Sequence, residues 1–261
     1  MVLSLAKATG LPVRAVHQHT GFDHPDTYRH LGVMEAFYGI PIEYTENPYG
    51  GMLPYLDAVG FFPNALFRDC TKRLKQGPFA AWLLANGFDA GNAEIWFGMR
   101  AEESVSRDTK FGKLADDDVF TLGELSEFYR HTKARRASIA GIPVRLPIVT
   151  LWTRHVFRYL ANEGAPLNPL YGRGHTRVGC YPCLLARKRE WQAVATDPVG
   201  REHIAALVAR EDAWTAEVPS AEARPKKFIR VHRLWDVRTF LGNGADTLPE
   251  SGESACGMCE I

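Results

Sequence analysis

A chain of 261 residues, 46% hydrophobic and 23% charged, is long enough to bury a substantial core and too evenly mixed for a disordered or coiled-coil assignment. A formal net charge of +1 excludes a strong global field, so an anion or nucleic-acid site has to be a local cluster. No run approaches the ~18 apolar residues of a membrane span, and the start, Met1-Val-Leu-Ser-Leu-Ala-Lys-Ala8, lacks the regions of a secretion signal. The chain reads as cytoplasmic, with no membrane partner, where thiols stay reduced.

Short apolar runs alternate with helical patterns, the rhythm of an α/β fold with a mostly parallel sheet and flanking helices. Val13 to His17 and Ile40 to Tyr44 read as strands, with a helix between them that Pro25 opens and that repeats Leu31, Met34 and Tyr38. Ile95 to Gly98 reads as the next strand. Thr121-Leu-Gly-Glu124 is a capping-box pattern opening a helix that buries Leu122, Leu125, Phe128 and Tyr129. Val144 to Val149 reads as a strand, followed by the stripe Trp152, Val156 and Leu160, which Gly164 stops. Leu184 to Glu217 reads as one or two helices, the second burying Ile204, Leu207 and Val208. The polar stretch 219–227 reads as a connector, and Phe228 to Trp235 as a strand or extended segment packing back on the body. The expected organisation is an α/β domain over 1–190, a helical C-terminal extension over 191–241, and a flexible cysteine-containing tail over 242–261.

All five cysteines fall in chemically suggestive contexts. Cys180-Tyr-Pro-Cys183 directly follows the glycine-rich, arginine-bearing run Tyr171-Gly-Arg-Gly-His-Thr-Arg177, and Cys256-Gly-Met-Cys259 lies in the tail. Cys70 sits in the basic run Arg68-Asp-Cys-Thr-Lys-Arg-Leu-Lys75. Thiolates three positions apart bind one metal or cluster, or close a small disulfide ring. His17, His19 and His24 read as a polar strand-to-helix turn, as substrate contacts, or as imidazoles close enough to bind a metal. Arg100 and Arg107 follow an apolar strand, where open α/β sheets bind ligands, and guanidinium forks suit tetrahedral oxyanions. The competing reading pairs Arg100 with Glu102 or Glu103.

Four segments occur in one order: His17-Gln-His-Thr-Gly-Phe-Asp-His-Pro-Asp-Thr27, the Cys70 run, Gly98-Met-Arg-Ala-Glu-Glu-Ser-Val-Ser-Arg107, and the loop with its Cys-x-x-Cys. Together, over roughly residues 1 to 190, they resemble the phosphoadenosine phosphosulfate (PAPS) reductase family, including its adenylylsulfate reductase and DndC-like relatives. The resemblance implies an adenine nucleotide alpha hydrolase-like fold acting on an adenine sulfonucleotide or ATP. It implies substrate contact by Thr20 and Gly21, by Arg100, Ser104 and Arg107, and by a loop carrying Arg173, His175 and Arg177. The family's first segment reads Asp-Thr-Gly and then Pro-Glu-Thr; here His19 and Asp26 replace the acids. His175 stands where an aromatic residue is usual.

In iron–sulfur members a tandem Cys-Cys, a lysine and a later Cys-x-x-Cys surround the cluster. Cys70, Lys75, Cys180 and Cys183 match, while Thr71 replaces the second of the tandem. The resemblance thus implies a [4Fe–4S] cluster on Cys70, Cys180 and Cys183, with one iron open or completed by Cys256 or Cys259; zinc and a redox disulfide remain as alternatives. The family's tail cysteine attacks the sulfate sulfur. That role falls on Cys256, with Cys259 as resolving thiol, Lys75 beside the cluster, and a thioredoxin-like or other thiol reductant as partner. The family's Ser-Gly-Gly-Lys-Asp-Ser phosphate loop is not in this sequence, and Met1 to Gly10 reads as the helix after it. A sheet short of that interior strand is expected to be poorly stable.

The implied activity is thiol-dependent reduction of adenylyl-linked sulfate to sulfite. Two alternatives stand beside it: a DndC-like or tRNA-thiolating enzyme that inserts sulfur into nucleic acid, and a non-catalytic scaffold without the phosphate loop.

Overall fold

The structure, a computed structural model, describes residues 1–64, 68–125, 137–216 and 236–242. Helix α1 (Val2–Ala8) precedes strand β1 (Ala15–His17), and α2 (Pro25–Tyr38) carries the chain to β2 (Ile42–Tyr44). Both boundaries of α2 follow local chemistry. His24 accepts from Asp26 N as N-cap, Pro25 stands at the first position where no backbone donor is needed, and Gly39 ends the helix in a left-handed conformation. β1 and β2 pair in parallel, with His17 opposite Tyr44.

Beyond α3 (Met52–Val59), one helical run contains α4 (Asp69–Thr71), a π-helical segment (Lys72–Gln76) and α5 (Gly77–Ala85). The π segment follows Cys70 and contains Lys75; such local widening of a helix is frequent at functional sites. Strand β3 (Ile95–Trp96) leads to a 3₁₀ turn (Ala101–Glu103) and α6 (Val105–Phe111). β4 (Val119–Thr121) and β5 (Pro143–Arg145) complete a second sheet in the order β3-β5-β4, with β3 parallel and β4 antiparallel to β5. α7 (Ala137–Ala140) precedes β5, and α8 (Thr153–Asn162), α9 (Pro169–Gly172), α10 (Lys188–Thr196), α11 (Pro198–Ala216) and α12 (Val237–Gly242) follow it.

The α/β character expected from the sequence is present, and two of the three strand pairings among the described residues are parallel. Among the described residues the strands form a parallel pair and a separate mixed trio, each strand only two or three residues long. β4 was not legible as a strand because Thr121 and Glu124 carry a helix-start signature. Thr121 N does donate to Glu124 and Glu124 N to Thr121 Oγ1, and Leu122 and Leu125 are buried, but the helix expected beyond, with Phe128 and Tyr129, lies outside the described residues. The strand expected over 144–149 stops at Arg145, and Val149 N instead donates to Leu146 O in a turn. In the expected stripe of α8 Val156 is buried, whereas Trp152 is the exposed N-cap residue. The segments 219–227 and 228–235 are likewise outside the described residues.

Two apolar cores result among the described residues. One surrounds the mixed trio, with Leu122, Ile142, Val144 and Leu146 at its centre. The other joins α3, the Cys70 helix and the loop around Cys180 to the C-terminal helices through Trp191, Leu207, Trp214, Val237 and Phe240. Thus residues beyond 190 share a core with the thiols as well as packing against one another.

Candidate functional site

The second core closes over the cysteines. Cys70, Cys180 and Cys183 are all buried free thiols, although more than one hundred residues separate the first from the others. Burial, then the charges of Cys183 and Cys180, push the Cys70 thiol up to about 12, while Lys75 and a hydrogen bond from Thr71 act in the other direction. Burial likewise pushes Cys180 up to about 11, against the charge of buried Lys75, with Asp23 and Cys183 adding to the rise. Mutual electrostatic influence at this strength means that the three sulfurs and one ammonium occupy the same neighbourhood. The sequence-predicted set Cys70, Lys75, Cys180 and Cys183 is therefore brought together.

The turn after β1 forms the wall of this site. Thr20 Oγ1 donates to Asp23 Oδ2 at 3.1 Å and lies 3.4 Å from Cys180 Sγ. Tyr181 N donates to Phe22 O, and Asp23 bridges Cys180, so the turn is laced to the cysteine loop through backbone as well as side chain. Gly21 is required here on two grounds. Its φ of +64° is left-handed, and a Cβ would stand 3.1 Å from Gly51 Cα.

The arginine-bearing loop is anchored to the N-terminus of α2. Asn168 caps α9 by accepting from Leu170 N, and Arg173 Nη2 donates to Asp26 Oδ2 at 2.5 Å, with Asp197 Oδ2 3.7 Å from its Nη1. Burial works against ionisation of Asp26, but Arg29 and Arg173 outweigh it and hold the carboxyl below the usual range. Buried His175 lies between Tyr181 Oη at 3.2 Å and Glu190 Oε2 at 3.7 Å. Arg177 and His175 line a cavity that reaches Cys180 and Cys183. His24, by contrast, is occupied in capping α2 and facing Asp197 at 3.4 Å, so it does not join His17 and His19.

Arg100, Ser104 and Arg107 form a second group, after β3. Arg100 lies 3.5 Å from Glu102 and 3.3 Å from Glu103 and donates to Thr153 Oγ1 at 3.2 Å. Arg107, buried, pairs with Glu103, and Ser104 caps α6 by accepting from Arg107 N. Two guanidiniums and two carboxylates balance in charge, so an anion arriving here competes with resident glutamates. Cys256 and Cys259 lie outside the described residues.

Sequence reasoning missed Asp23, Tyr28, Asp197 and Glu190. Asp197 was findable, because Asp followed by Pro is a helix-start signal, and its Oδ1 accepts from Val199 N at 2.9 Å. The others carry no local signal, since their partners are distant in sequence or across a turn.

Residues 1–186 match the family described as phosphoadenosine phosphosulfate reductase domain, and the chain belongs to that family. It is 28% identical over 185 residues to an uncharacterised protein of Methanocaldococcus jannaschii, covering 70% of this chain and 33% of that protein. It is 24% identical over 189 residues to the chloroplastic 5′-adenylylsulfate reductase 1 of Arabidopsis thaliana, covering 71% and 36%. It is 27% identical over 193 residues to the adenosine 5′-phosphosulfate reductase of Allochromatium vinosum, covering 71% and 64%. The chain thus spans about a third to two thirds of the length of these relatives. No helix among the described residues is long and apolar enough to cross a membrane.

Proposed function

We propose that this chain is a sulfonucleotide reductase, transferring the sulfo group of an adenylyl-linked sulfate to a cysteine and releasing sulfite. The observation that carries the reading is the convergence of Cys70, Lys75, Cys180 and Cys183 behind Thr20 and Asp23, in a family whose named relatives include adenylylsulfate reductases.

The donor set fits an iron–sulfur cluster. The buried Cys70 and Cys180 thiols resist ionisation with Lys75 as their cationic neighbour, and a metal charge removes that resistance. Cys70, Cys180 and Cys183 would hold the cluster, which when bound keeps the three sulfurs ionised and ties the Cys70 helix to the Cys180 loop. Thr20 and Gly21 would contact the nucleotide from the adjoining turn. Arg100, Ser104 and Arg107 would bind its anionic end, and Arg173, His175 and Arg177 would close over it.

In the chemical step, Cys256 as thiolate attacks the sulfate sulfur. The S–O bond to the adenylate phosphate breaks, its electron pair leaves with the nucleotide, and an S-sulfocysteine remains. Cys259 as thiolate then attacks Cys256 Sγ. The bond to the sulfo group breaks, sulfite departs with the electron pair, and the resulting disulfide is returned to two thiols by a thioredoxin-like or other thiol reductant.

The test is mass spectrometry of full-length protein mixed anaerobically with sulfonucleotide and no reductant. The peptide ending in Cys-Gly-Met-Cys-Glu-Ile gains one sulfo group, Cys256→Ser prevents it, and Cys259→Ser makes it accumulate. A Cys256→Ser protein that keeps its iron and reduces sulfonucleotide at the parent rate overturns the tail mechanism.

A further inference from the structure

β1 ends on His17, whose carbonyl accepts from His19 N at 3.1 Å and Thr45 N at 3.0 Å, holding the chain in a tight turn. Left-handed Gly21 then reverses direction and returns Asp23 to the two imidazoles. One ring nitrogen from each of His17 and His19 and one Asp23 oxygen all lie within 4.8 Å of one another.

The pairing inside this group is incomplete. His17 Nε2 faces Asp23 Oδ2 at 3.7 Å, too far for a hydrogen bond, and is shielded from solvent without a hydrogen-bond partner. Asp23, whose side chain is 3% exposed, is by contrast firmly held: Thr20 and Tyr28 each donate to its Oδ2 at 3.1 Å. The Tyr28 hydroxyl also lies 3.1 Å from His19 Nδ1, so one phenol orients a carboxylate and an imidazole together. Burial alone would raise the Asp23 pKa, but His17, Lys75 and Tyr28 outweigh it and keep the carboxyl below its usual range, hence charged.

We propose that His17, His19 and Asp23 form a binding site for one divalent transition-metal ion of the zinc, cobalt or ferrous type, separate from the three thiols. Two imidazoles and one carboxylate suit such ions, whereas magnesium and calcium take oxygen ligands. Metal–ligand bonds of about 2.0–2.2 Å in tetrahedral geometry place donors roughly 3.3–3.6 Å apart, so donors already within 4.8 Å need only small side-chain rotations. The ion takes the unused lone pair of His17 Nε2, and Tyr28 becomes the outer partner that fixes ligand orientation. Three protein ligands leave a position open for water or an anion. The neighbouring groups are Lys75, whose charge is felt at Asp23, and the Cys180 thiol, whose Sγ lies 3.4 Å from the Thr20 hydroxyl. An assay therefore has to tell nitrogen and oxygen ligation from sulfur ligation.

The inference does not rest on sulfonucleotide reduction, and its test requires no turnover. Full-length protein is titrated anaerobically with Co²⁺ and followed by absorption. One bound ion is expected to show ligand-field bands without sulfur-to-cobalt charge transfer, whatever additional cobalt the thiols take. His17→Gln and His19→Gln should each weaken that ion roughly tenfold or more while leaving thiolate-bound cobalt unchanged. X-ray absorption at the cobalt edge of the parent protein, showing imidazole scattering and no sulfur for this ion, decides the matter if a variant fails to fold. Cobalt bound through sulfur alone, or not at all, leaves His17 and Asp23 as plain neighbours and overturns the proposal. Equal affinity in both folded variants overturns it as well.

Discussion

The thiol site and the arginine corner after β3 contrast in how they are built. Arg100, Glu102, Glu103 and Arg107 lie within eight consecutive positions and neutralise one another at the end of a single strand. Cys70, Lys75, Cys180 and Cys183 come from a π-widened helix and a distant loop, and burial leaves the thiols of Cys70 and Cys180 far from ionisation. A locally sequential ion network neutralises its own charge. A cluster of buried thiols does not, and its chemistry points to something that supplies positive charge.

The sharpest way to break the contrast is to remove one sulfur. Cys180→Ser or Cys183→Ser should abolish bound iron and acid-labile sulfide in anaerobically prepared protein, because a serine oxygen replaces a thiolate poorly. Stoichiometric zinc without iron after reconstitution of the parent would remove the cluster from the site.

Next in size is the support of that site. Trp191 is fully buried, donates its indole N–H to Cys183 O at 3.0 Å and packs edge-on against Phe240. Trp191→Ala should cost about 3–5 kcal/mol of stability, read as a lower urea midpoint, through the cavity and the lost hydrogen bond. A midpoint near the parent value would show that the C-terminal helices do not brace the cysteine loop.

At the arginine corner the effect should be smaller and confined to binding. Arg100→Lys keeps the charge but loses the planar fork, and should weaken sulfonucleotide by about 1–3 kcal/mol in calorimetry with the fold intact. An unchanged dissociation constant would leave Arg100 as a member of the glutamate network alone.

The smallest effect is in the pH dependence of the metal-free chain. The folded pKa values of Cys70 and Cys180 stand near 12 and 11 against an ordinary 9, so the folded state holds protons that the unfolded state releases. Their contribution is complete below pH 9 and is lost as pH rises towards 11 to 12. Stability should fall by about 1 kcal/mol for each of the two thiols between pH 9 and 10, measured by urea denaturation. A flat profile would mean that these thiols ionise as readily folded as unfolded.

Legibility from the sequence followed the range of the interactions. The start of α2 was readable because Pro25 acts on the backbone beside it. The thiol set was readable only through the resemblance carried by four ordered segments, since nothing local joins Cys70 to Cys180. Thr121 shows the limit from the other side: its reciprocal bonds with Glu124 form as expected, yet it is also the last residue of β4 because pairing with Pro143 is decided across the sheet.

By itself, then, the sequence determined what local chemistry controls: helix starts and stops, the left-handed turn at Gly21, the self-neutralising arginine corner, and the residue types available for anion and metal chemistry. Only the tertiary structure decided which of them meet. It split the strands between two sheets, turned Arg173 onto Asp26, parted His24 from His17 and His19, and wrapped the C-terminal helices around the cysteines. The reason is physical: burial and charge depend on what the rest of the chain brings near, and no spacing along the sequence specifies that distance.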